Sequence, residues 1–79
     1  MVTDLRIDFA AVVFSLREYG LHPDEIGKAA GVSGQQVRFY QQGQQPRHCV
    51  GEALIELWCS ETGLERSDLP MTDGLMVEL

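Results

Sequence analysis

The chain has 79 residues, 44% of them hydrophobic, and a formal net charge of −6. That length allows one small domain with a core near the lower limit for independent stability, and the apolar content excludes a disordered chain. No apolar run approaches the roughly 18 residues of a membrane span, and the start, MVTDLRIDF, carries two aspartates where a signal peptide has a basic segment, so the expected location is the cytoplasm.

A first helix is expected from about Asp4 to Tyr19, capped by Thr3 or Asp4 and closed by Gly20. Leu5, Phe9, Val12 and Leu16 follow the rhythm of a core-facing stripe. Ile7, Ala11 and Phe14 lie nearly opposite, so a second apolar face needs cover from the C-terminal tail or from another subunit. The second helix opens with His22 as cap, Pro23 at its first position and Glu25 at its third. Proline is tolerated there because its missing N–H would be unpaired anyway, and Asp24 and Glu25 suit the positive end of the helix dipole.

The third helix starts with a capping box, Ser33 followed by Gln36, and ends at Gly43. With Val37 and Tyr40 inward, the 100° step per residue turns Gln35, Arg38, Phe39 and Gln42 outward, flanked by Gln36 and Gln41. Glutamine can pair with an adenine edge, arginine with guanine, and Phe39 can touch a thymine methyl. A solvated glutamine-rich surface is the plain alternative. A loop to Pro46 leads into a fourth helix, about His48 to Ser60, stopped by Gly63. Val50, Leu54, Leu57 and Trp58 form its inward stripe, while Ile55 and Cys59 fall off it. The last sixteen residues are punctuated by Pro70, Asp73 and Gly74, so a long helix is not expected there. Their final GLMVEL suits a short strand that could pair with its twin across a dimer axis, or an unstructured tail.

The acidity is uneven. Residues 1–22 set Arg6 and Arg17 against Asp4, Asp8 and Glu18, and residues 23–48 set Lys28, Arg38 and Arg47 against Asp24 and Glu25. Residues 49–79 set Arg66 alone against seven acids, so the middle of the chain is net positive and the C-terminal part carries the negative charge. Cys49 and Cys59 are ten positions apart on one expected helix, about 15 Å along its axis, too far to bridge. They are read as reduced packing residues, and no metal-ligand cluster stands near them. With no phosphate-binding glycine loop and no acid–base pair at useful spacing, neither catalysis nor a cofactor is expected.

Within HPDEIGKAAGVSGQQVRFYQQG (His22 to Gly43), Ile26, Ala30, Val32, Val37 and Tyr40 are spaced to lie between two helices. Gly27 and Ala30 are small where those helices approach, and Gly31 opens the turn. These are the needs of a helix-turn-helix, a rigid corner that pushes one helix into a DNA groove. The spacing resembles the Cro and phage-repressor type, the large xenobiotic-response-element-like family. Its recurring small residue, Gly-Val-Ser turn, valine, aromatic, glycine and proline stand here as Gly27, Gly31-Val32-Ser33, Val37, Tyr40, Gly43 and Pro46. The resemblance spans about residues 5 to 60. Gly27 stands where the family commonly has alanine, Pro23 where a phosphate-contacting glutamine is common, and Phe39 where a polar residue is usual.

The resemblance implies an all-α fold: a four- to five-helix Cro/lambda-repressor-like domain over residues 1–63, with an acidic tail at 64–79 as a short strand or extended dimerisation segment. It implies a sequence-specific transcriptional regulator, a phage or prophage Cro-like repressor that binds a double-stranded operator as a homodimer. Base reading falls to Gln35, Gln36, Arg38, Phe39 and Gln42, and phosphate contact to Lys28, Ser33, Gly34 and Arg47. The subunit interface is expected at Ile7, Phe14, Ile55, Cys59, Leu75 and Val77. The alternative is a protein-interaction module reusing the fold (an antitoxin, adaptor or anti-repressor), or else a phage assembly component. Its signature is a missing salt-dependent DNA affinity and a partner over Phe39.

Overall fold

A computed structural model describes residues 5–73. Strand β1 (Leu5–Ile7) is followed by helices α1 (Phe9–Glu18), α2 (Pro23–Ala30), α3 (Gly34–Gln41) and α4 (His48–Thr62). A single 3-10 turn (Arg66–Asp68) then leads to strand β2 (Met71–Asp73). The chain is thus mostly helical, with a small two-stranded sheet. No helix among the described residues is long and apolar enough to cross a membrane.

The first helix begins at Phe9 and not at Asp4. Asp8 adopts a non-helical backbone, and its carboxylate accepts a hydrogen bond from the Ala11 N–H at 3.1 Å, which caps the helix there. Upstream, Leu5–Ile7 pair antiparallel with Asp73–Met71, with Arg6 opposite Thr72. The Asp8 N–H donates to the Pro70 carbonyl at 2.9 Å and extends this clasp. The strand expected within residues 74–79 lies outside the described residues, as do Leu75 and Val77. β2 sits just before it and pairs within the chain.

The second helix starts as its sequence demands. His22 Nδ1 accepts from the Asp24 N–H at 3.2 Å, and Glu25 Oε1 accepts from the His22 N–H at 2.7 Å. At its end Gly31 is left-handed (φ 82°), a conformation that costs glycine no Cβ clash. In α3 the Ser33 hydroxyl accepts from the Gln36 N–H at 3.1 Å, so the serine half of the anticipated box forms. Gly63 closes α4 at φ 75°, as anticipated, and the helix runs to Thr62, two residues beyond the anticipated Ser60.

Helices α1, α2, α3 and α4 enclose one core of Val12, Val13, Leu16, Ile26, Val37, Tyr40, Val50, Leu54, Ile55 and Trp58, with Leu69 added from beyond α4. Leu69 brings the segment after Gly63 back onto the helices. Ile55 is only 2% exposed, so it packs inside its own chain and is not free to form the expected subunit interface. Gly51 lets α4 approach α1: a Cβ there would lie 3.0 Å from the Phe9 ring.

Candidate nucleic-acid interface

The corner between α2 and α3 is tighter than one built with alanine. A Cβ on Gly27 would lie 2.5 Å from the Val32 carbonyl oxygen and 3.0 Å from Ser33 backbone atoms. The Val32 N–H in turn donates to the Gly27 carbonyl at 2.8 Å. Backbone therefore packs directly on backbone, and the usual helix penalty for glycine, about 1 kcal/mol, is set against a contact that no larger residue permits. This contact fixes the angle at which α3 leaves α2.

On α3, Val37 and Tyr40 are buried, whereas Gln35, Arg38, Phe39 and Gln42 are exposed, Phe39 at 40%. Four of the five base-reading candidates therefore share the solvent side. Gln36 does not fully join them: it is half-buried and lines a hollow of about 640 Å³ beside the start of the helix. That hollow lies between the α2–α3 turn and the beginning of α4, and Ser33, Tyr40, Gln44, Arg47 and Cys49 also line it.

The phosphate candidates divide. Lys28 and Arg47 are exposed, and Arg47 stands at the N-terminus of α4 with no side chain capping that end. The free N–H groups there, the positive helix end and the guanidinium together favour an anion. Ser33 is exposed, although its hydroxyl already caps α3. Gly34 is buried, which corrects its assignment: a Cβ there would collide with the Asp24 carboxylate, so that acid lies against the first turn of α3. A carboxylate suits a helix N-terminus, but it takes the place a phosphate would use.

Of the expected interface residues, Phe14 is 54% exposed, and Ile7 and Cys59 are half-buried against the core. One residue absent from the sequence-based site now borders it, beside the flanking Gln41. Arg17, in the last turn of α1, donates through Nη1 to Gln41 Oε1 on α3 at 3.1 Å. They are 24 positions apart, and no local pattern announces the pair. Arg66, by contrast, is taken up by Glu52, to which it donates two hydrogen bonds at 2.9 and 3.0 Å. These hydrogen bonds hold the Glu52 carboxyl below its ordinary range. Among the described residues no group of three or more His, Cys, Asp or Glu side chains gathers as a metal site. No family model, curated protein or solved structure matches the chain.

Proposed function

We propose that the protein is a sequence-specific DNA-binding regulator of the Cro-like helix-turn-helix type, acting as a homodimer with α3 in the major groove. The observation that carries this reading is the outward face of α3: Gln35, Arg38, Phe39 and Gln42 are exposed while Val37 and Tyr40 anchor the helix. Glutamine and arginine are the residue types that make paired hydrogen bonds to adenine and guanine edges. The rigid Gly27 corner supports it, since base readout needs a helix held at a fixed angle. Arg38 lies on α3, Arg17 bonds its last residue and Arg47 shares a hollow with Gln36 and Tyr40, so cations stand on and beside α3 in a chain whose acids concentrate after residue 49. The homodimer follows from footprint: one short helix reads too few base pairs, and a dimer reads two half-sites about 34 Å apart. Phe14, one of the exposed apolar side chains, is open to such a seam.

Selection of bound duplexes from a random pool at low salt tests the reading, and a short palindromic consensus is the expected result. An interaction module that reuses the fold is the second reading. It is favoured by the Asp24 carboxylate against the first turn of α3 and by the exposed Phe39. An empty selection at low salt supports that module and ends the DNA-binding reading.

A further inference from the structure

Gln41 is the last residue of α3, and its amide oxygen receives the Arg17 guanidinium. Arginine has no acceptor atom, so the atom facing it must be that oxygen. The pair therefore fixes the polarity of the glutamine side chain: its acceptor is occupied and its NH₂ group is left to donate. Arg17, Gln41, Arg38 and Gln42 border one shallow depression of about 380 Å³. The Arg17 guanidinium and the oriented Gln41 amide make this end of α3 rich in donors, while Arg38 on the same helix is left for the bases.

We infer that Arg17 and Gln41 grip a DNA phosphate at the C-terminal end of α3, an inference that rests on α3 being the recognition helix. In that docking the N-terminal residues of the helix meet the base edges. Eight residues extend α3 by about 12 Å, close to the roughly 12 Å width of the major groove. The far end of the helix, with Gln41 and the adjoining Gln42, thus arrives at the groove wall, which is phosphate backbone, so on this inference Gln42 faces phosphate and not a base edge. Phosphate oxygens only accept hydrogen bonds, and a guanidinium beside an amide NH₂ only donates them. Glu18 opposes this grip, because it borders the adjoining depression with Phe14, Arg17 and Gln41. Its carboxylate subtracts from the local positive charge.

The test measures binding of the full chain to a selected duplex and to a mismatched one across a salt series. Arg17→Ala is expected to weaken both duplexes by about tenfold, the size of one charge-assisted contact, and to lower the salt slope by about one. Arg17→Lys should keep the slope, because it keeps the charge. Gln41→Glu should weaken both duplexes, since its carboxylate repels the phosphate, and Glu18→Gln should strengthen both. If Arg17→Ala changes neither affinity nor slope while Arg38→Ala loses discrimination, the grip is wrong and the recognition helix stands. If Arg17→Ala weakens the selected duplex alone, Arg17 contacts bases, and the phosphate assignment fails. If the unaltered protein binds neither duplex, the inference falls together with the DNA-binding reading.

Discussion

At the α2–α3 corner, the caps and the turn join residues close in sequence: His22 with Asp24 and Glu25, Gly27 with Val32, and Ser33 with Gln36. The β1–β2 clasp instead joins the two ends of the described chain, Leu5–Ile7 with Asp73–Met71, through two strands of three residues each. Local contacts order few bonds for each interaction formed, whereas closing a long loop costs entropy before any pairing repays it. A two-stranded ribbon is also marginal by itself. The corner is therefore the rigid part, suited to aiming a helix, and the clasp is the part expected to open first.

The largest effect should come from filling the corner. Gly27→Ala forces a Cβ onto the Val32 and Ser33 backbone, which cannot swing aside as a side chain tip would. A cost of about 3 kcal/mol is expected, the upper end for overpacking, and on the proposed function a weaker hold on DNA as α3 is tilted. A stability within about 0.5 kcal/mol of the unaltered protein would show that the corner is not rigid. Leu69→Ala probes the other region. Leu69 is 7% exposed at the rim of the core, so about 2 kcal/mol is expected, the lower end for leucine truncation. Hydrogen exchange should then quicken in β1 and β2 while α2 and α3 keep their protection. Equal loss of protection in both regions would erase the distinction between them.

The smallest effect belongs to the Glu52–Arg66 pair, which is exposed and screened by solvent. Because Glu52 has a lowered pKa in the folded chain, its contribution is present above the ordinary carboxylate range and is lost as the pH falls through the folded value. Glu52→Gln should lower the melting temperature slightly at about pH 6, and the difference should shrink as the pH falls through the folded value. A difference that persists in acid would mean that Glu52 acts through packing.

The same contrast explains what was legible in the sequence. His22, Pro23, Ser33 and Gly63 announced their helix ends because capping is a matter of adjacent residues. The stripe of Val12, Leu16, Ile26, Val37, Leu54 and Trp58 was readable from its period, and all are buried. The sequence predicts too early a start for the first helix because Leu5 falls four residues before Phe9 and fits a helical period by coincidence. Only the distant β2 reveals residues 5–7 as a strand. Ile55 lies off the single stripe that the period of α4 predicts, yet α1, α2 and the segment carrying Leu69 cover a wider face. Within the site, the outward α3 residues followed from helix geometry. Arg17 with Gln41, and Asp24 against Gly34, depend on how separate elements meet, which one-dimensional spacing does not encode.

The proposed base reading by α3 is tested most directly by comparing Arg38→Ala with the unaltered protein on a selected duplex and on a duplex mismatched at one base pair. Arg38 is exposed and clear of the core, so its removal should leave the fold intact. Discrimination at one position should fall by about 1–3 kcal/mol, the worth of a paired hydrogen bond to a base edge, while the mismatched duplex is bound nearly as before. Equal weakening on both duplexes would make Arg38 a phosphate contact, and no change on either would remove α3 from the recognition surface.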